Sequence, residues 1–155
     1  PCQPDRPGHR ALRRGRCSLA GEIYHVTTTT FGREPLFRRF GVACAAASTI
    51  TAQEVLGDSR LLAWVLMPDH LHLLLQLGDR DHLPTVVSRL KARSAAVLLD
   101  PSVDEEGLVA GNHDHALRGE EDVQAVARYI IANPLRAGLV RRCGDYPFWD
   151  AVWLS

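Results

Sequence analysis

Two histidines one residue apart, His70 and His72, stand in an otherwise apolar run, Met67-Pro68-Asp69-His70-Leu71-His72-Leu73-Leu74-Leu75. Strand side chains alternate between faces, so both imidazoles point the same way, about 7 Å apart along the backbone. Leu71, Leu73 and Leu75 fall on the opposite face, the expected core face. Two imidazoles held on one rigid strand can converge on a single metal ion. By itself the His-x-His spacing is a weak signal, because many such pairs are ordinary surface or core histidines. His113-Asp114-His115 repeats it in a polar, loop-like stretch, where it reads as structural. His9, His25 and His82 have no partner in sequence and read the same way.

A second polar pair lies far along the chain. Tyr129 and Asn133 are four residues apart, one turn along one helical face. That face is otherwise small, with Ala125 and Ala132 near it. One chemistry wants this set: a tyrosine attacking a phosphodiester beside a metal held by two histidines and an amide oxygen. A phenol with a pKa near 10 is a poor nucleophile unless the phosphate is polarised. A divalent ion on a non-bridging phosphate oxygen would supply that polarisation and orient the scissile bond. The Asn133 oxygen suits Mg²⁺ or Mn²⁺, whereas imidazole leans toward Mn²⁺ or heavier ions, so the metal's identity stays open.

The chain around these residues has the size and make-up of one folded domain. It has 155 residues, 46% of them hydrophobic, and 18 basic side chains balance 18 acidic ones. This excludes a disordered composition and a protein coated in basic surface, so nucleic-acid contacts would come from local patches. Lys91 is the one lysine among the 18 basic residues; the rest are arginines, which grip phosphate bidentately. Base-composition bias would produce the same excess. Cys2, Cys17, Cys44 and Cys143 are scattered without ligand spacing, and Cys44, in an Ala-rich stretch, is expected in the core. No signal peptide and no apolar run of membrane length is visible, so the cytoplasm is the expected location, with no membrane partner. The only methionine is Met67, which suggests that the true start is missing or processed.

Residues 1–18 carry Arg6, Arg10, Arg13, Arg14 and Arg16 against Asp5 and read as a flexible basic arm. The arm either has no role or touches phosphates through Arg13, Arg14 and Arg16. A single domain is expected over 19–155. The β-branched run from Ile23 to Thr30 is a first strand. Leu36, Phe40, Ala43, Ala47 and Ile50 recur at helical spacing, after a turn with Pro35 at the helix start. Leu61–Met67 and His70–Leu77 make a hairpin, and a second helix covers Leu83 to Leu98, with Arg89 and Arg93 on a face that could meet phosphate. Residues 99–112 resist assignment, apart from a short edge strand at Leu108-Val109-Ala110. Glu120-Glu121-Asp122 favours the positive end of a third helix, which Asn133-Pro134 should stop. The aromatic tail (Tyr146, Phe148, Trp149, Trp153) should pack back on the body. This order fits an α+β, ferredoxin-like sandwich: an antiparallel sheet of about four strands, helices on one face, and a catalytic helix near the C-terminus.

Three stretches together resemble the single-tyrosine HUH transposases, and within them the REP-associated tyrosine transposases of bacteria. They are Tyr24-His25-Val26-Thr27-Thr28, Met67-Pro68-Asp69-His70-Leu71-His72-Leu73-Leu74, and Tyr129-Ile130-Ile131-Ala132-Asn133-Pro134-Leu135-Arg136-Ala137-Gly138-Leu139-Val140. Weaker support comes from Leu90-Lys91 and from Asp114-His115-Ala116-Leu117-Arg118. The resemblance implies a nuclease acting on single-stranded DNA with hairpins, such as REP-like repeats. It implies His70 and His72 as metal ligands, Asn133 as the position of the third, and Tyr129 as the nucleophile that forms a 5′-phosphotyrosine and frees a 3′-hydroxyl. One departure is the segment Leu108-Val109-Ala110-Gly111-Asn112, which lacks the Trp and basic or aromatic residues that family members often carry. Two other readings stay open: a domesticated hairpin-binding protein that no longer cuts, and a metallohydrolase of small phosphoesters, which would need further ligands. Monomer and homodimer are equally open.

Overall fold

The computed structural model of the chain describes residues 19–98, 110–117 and 122–154, with 97–98 and 110–113 in backbone only. The basic arm, with Arg13, Arg14 and Arg16, lies outside the described residues, as do Leu108 and Val109. The elements run β1 (Ile23–Thr29), α1 (Phe40–Ile50), α2 (Gln53–Leu56), β2 (Arg60–Leu66), β3 (His70–Gln76), α3 (Leu83–Leu98), β4 (Ala110–Ala116), α4 (Val123–Ile131), α5 (Asn133–Arg136) and β5 (Trp149–Ala151). Among the described residues the strands form one sheet in the order β4-β1-β3-β2-β5. Every pairing is antiparallel. Its first four strands have the ferredoxin-like βαββαβ arrangement, and β5 adds a fifth beside β2.

The alternation expected of β3 decides the layers. Leu71, Leu73 and Leu75 face Thr28, Val26 and Tyr24 across the β1 register, and they pack with Ala43, Ala46 and Ile50 of α1 and Val86, Val87 and Leu90 of α3. Leu71 is only 1% exposed, so Leu71→Ala should cost about 2–5 kcal/mol. The other face is half covered. Ala127 and Ile130 of α4 pack on Val65 of β2, Leu74 of β3 and Ala151 of β5, and the part toward β1 is left to polar side chains.

Several local expectations need correction. Between β1 and α1 the chain makes two 3₁₀ turns, Phe31–Arg33 and Leu36–Arg38, before the helix starts at Phe40. Phe40 is 68% exposed and Cys44 is exposed, because the buried face is set by Val42, Ala43, Ala46, Thr49 and Ile50. The Ala-rich run looks equally apolar on every side, so composition alone could not set its phase. His113-Asp114-His115 is part of β4 and not of a loop, with His115 opposite His25. The third helix ends at Ile131, just ahead of Asn133-Pro134 as expected, but Asn133 and Pro134 are themselves helical. The helix breaks at Ala132 and resumes as α5, where Pro134 occupies a first-turn position that needs no backbone N–H.

Other expectations hold. α3 spans Leu83–Leu98, and the side chain of Asp122 caps α4 by accepting from the Gln124 N–H. Most of the tail returns to the body: Tyr146 Oη donates to the Leu66 carbonyl at 2.7 Å, and Tyr146, Phe148 and Trp149 pack on the two core layers, whereas Trp153 stays exposed. Among the described residues no helix is long and apolar enough to cross a membrane.

Candidate metal and nucleophile site

The polar half-face gathers around β3. His70 and His72 project from it with ring centroids 4.9 Å apart, edge to face. Each has its Nδ1 engaged. His70 Nδ1 is 2.6 Å from Asp69 Oδ1, and a carboxylate only accepts, so the proton sits on Nδ1. The other oxygen of Asp69 meets Arg33 Nε at 3.2 Å. The backbone of Asp69 is fixed as well, since its carbonyl accepts from both the N–H and the hydroxyl of Thr30. Arg33 reaches Asp69 from a left-handed backbone conformation (φ 60°) that directly follows Gly32 at φ 58°.

His72 is held differently. Its Nδ1 lies 2.9 Å from Thr27 Oγ1 and 3.1 Å from His25 Nε2. Burial, then the neighbouring His70, His25, Arg136 and Arg33 charges, push its pKa down to about 3. The ring is therefore neutral at pH 7, the state in which imidazole ligates metals. His25 is lowered too, first by burial and then by His115.

This donor set fits a divalent ion. The bonds described for His70 and His72 are made at Nδ1, which leaves Nε2 of each ring as the nitrogen that could meet an ion. A hydrogen-bonded second nitrogen is the usual support for a metal-bound histidine. Among the described residues no group of three or more His, Cys, Asp or Glu is arranged to hold a metal, so further ligands would be amide, water or phosphate oxygens.

The nucleophile candidate sits at the end of α4. Tyr129 is 56% exposed, and the Arg136 guanidinium lies over its ring, 3.9 Å from the centroid. Arg136 also acts electrostatically on His72. The Asn133 amide nitrogen donates to the Ile130 carbonyl at 2.9 Å and more weakly to that of Tyr129 at 3.5 Å. Its oxygen takes part in neither bond.

Arg89 and Arg93 are not brought to this site. Both are on α3, across the sheet from the histidines. Arg89 pairs with Asp81 and donates to the Val55 carbonyl at 3.1 Å, bracing the turn at Gly57, where an added Cβ would strike both Asp81 and Arg89. His82 is exposed at the head of α3. Sequence reasoning missed His25, Thr27, Asp69, Arg33 and Arg136. Asp69 was adjacent to the motif, and the strand register sets Thr27 opposite His72; that register was the signal for β1.

A family model described as IS200-like transposases matches residues 19–131. Among solved structures, a REP-associated tyrosine transposase bound to a REP hairpin superposes with a TM-score of 0.68 at 20% identity, covering 86% of this chain and 79% of that one. At that identity the likeness establishes the fold alone. A protein of Deinococcus radiodurans R1 described as a transposase aligns at 23% identity and a TM-score of 0.46, over 77% of this chain and 95% of its own; that likeness carries no argument. No curated protein matches.

Proposed function

Because the chain belongs to the family of IS200-like transposases, we propose that it nicks single-stranded hairpin DNA and transfers the cut strand, with Tyr129 as nucleophile. Metal ligation falls to His70 and His72 through Nε2, with Asn133 as the third ligand, and the ion is Mg²⁺ or Mn²⁺. When bound, such an ion draws charge from a non-bridging phosphate oxygen. Tyr129 Oη attacks phosphorus, the bond to the 3′ oxygen breaks, and a 5′-phosphotyrosine forms. The phenol proton leaves to solvent, and the departing 3′ oxygen takes up a proton as the free hydroxyl. In strand transfer a 3′-hydroxyl attacks the phosphotyrosine and returns the phenol. The exposed ring of Tyr129 leaves room for a polymer substrate, and Arg136 is placed to receive the phosphate's charge beside it.

The observation that supports this reading is the pair of β3 histidines held through Nδ1, together with Arg136, which lies over the Tyr129 ring and also acts electrostatically on His72. The REP hairpin held by the solved transposase of the same fold suggests the substrate class. The enzyme would act in the cytoplasm. The arm residues Arg13, Arg14 and Arg16 would add phosphate contacts, so neutralising them should weaken hairpin binding and flatten its salt dependence. Arg89 and Arg93 would meet DNA only outside the cutting centre.

The deciding experiment incubates the protein with hairpin single strands and Mg²⁺ or Mn²⁺ and looks for a covalent protein–DNA adduct. Wild type should form it, and Tyr129→Phe should bind the hairpin without forming it. An adduct that survives Tyr129→Phe sinks the assignment. Hairpin binding with no adduct in wild type would identify a DNA-binding module that has lost cleavage.

A further inference from the structure

His70 and His72 have different supports. Asp69, itself paired with Arg33, accepts the His70 Nδ1 proton. The partners of His72 Nδ1 are the Thr27 hydroxyl and His25 Nε2, 2.9 and 3.1 Å away. A hydroxyl donates or accepts equally well, so Thr27 alone leaves the His72 tautomer open. His25 lies 47 residues upstream, and its ring stands 5.2 Å from that of His72, tilted by 39°. β1 fixes it there, paired with β3 on one side and β4 on the other. The facing nitrogens of two neutral rings share one proton. If it sits on His25, His72 is protonated at Nε2 and closed to a metal. If it sits on His72 Nδ1, Nε2 is bare.

We propose that His25 is a positioning residue for the metal site: its Nε2 accepts the proton on His72 Nδ1 and so holds His72 in the tautomer that presents Nε2 to a divalent ion. Unlike the carboxylate beside His70, a neutral imidazole can also donate, so this role requires His25 to carry its own proton on Nδ1. The inference rests on the metal role of the histidine pair argued above, and its test separates the two.

Mn²⁺ binding to the full chain is measured by titration calorimetry for wild type, His25→Phe, His25→Gln and His72→Ala. His25→Phe removes the acceptor and should weaken Mn²⁺ binding roughly 10- to 100-fold, the usual effect of losing such a support. His25→Gln returns an acceptor oxygen at similar reach and should recover most of that loss. Wild-type affinity in His25→Phe, or equal weakness in Phe and Gln, overturns the positioning role while His72→Ala still abolishes binding. Unchanged Mn²⁺ affinity in His72→Ala overturns the metal reading and this inference with it. A measurement without metal needs no variant: ¹⁵N spectra of histidine-labelled wild type should show His72 protonated at Nδ1, and protonation at Nε2 overturns the proposal.

Discussion

β3 and β4 carry the same His-x-His spacing, yet the sheet gives the two pairs unlike surroundings. β3 is internal, with β1 on one side and β2 on the other. β4 is at an edge, its described pairing is with β1 alone, and its register shifts between Thr28 and Thr29. Between His70 and His72 sits Leu71, buried in the core; between His113 and His115 sits the half-exposed Asp114. His72 meets side chains from the neighbouring strand, whereas His115 is exposed. A pair of histidines becomes a candidate site through what stands across from it, and an internal strand has neighbours on both sides.

The comparison breaks first at the ligands. His72→Ala should lower metal-dependent nicking of hairpin DNA by more than ~100-fold, beyond the loss of a mere support, while His115→Ala stays near wild type in the same single-turnover assay. Equal damage from both would mean that β4 is part of the reacting centre. Next come the acids adjoining each pair. Asp69→Asn should weaken Mn²⁺ binding about 10- to 100-fold by releasing His70, and Asp114→Asn should leave it unchanged.

A third contrast concerns acid. With its pKa held to about 3 in the fold against roughly 6.5 unfolded, His72 binds fewer protons folded than unfolded across that window. Stability of the metal-free protein should be full above about 6.5 and fall as pH drops toward 3. Urea melts of His72→Gln should show a shallower decline, and those of His115→Gln should follow wild type. The smallest effect belongs to the opposite edge of the sheet. Tyr146→Phe removes the bond to the Leu66 carbonyl and should cost about 1 kcal/mol in urea unfolding. Burial lifts the Tyr146 phenol to about 12, so the wild-type fold should also lose stability as pH rises from 10 toward 12, a loss that Tyr146→Phe lacks.

What could be seen in the sequence follows the strength of the local pattern. β3 and α3 were legible because a period of two and a stripe of Leu83, Val86, Val87 and Leu90 each outweigh their surroundings. β4 was not, because Gly111-Asn112-His113-Asp114 has no apolar alternation, and its pairing depends on the free edge of β1. Phe40 and Cys44 were misplaced because several faces of α1 look equally greasy. Asn133-Pro134 marked the end of α4 but not the start of α5, because proline ends a helix yet also opens one. In the site, Tyr129, His70, His72 and Asn133 were visible as spaced types, whereas His25 and Arg136 become meaningful only once β1 lies beside β3 and α4 crosses the sheet.

The β1–β3 register also makes the core a gauge for the chemistry. Val26 meets Leu73 and Thr27 meets His72 in a single ladder. A slip of one residue along β1 would turn every side chain over, pushing His25 and Thr27 among the leucines and setting Val26 in their place. A mispaired molecule would therefore be inert as well as unstable, with no half-working version between. Any selection that keeps the fold true also proofreads the site.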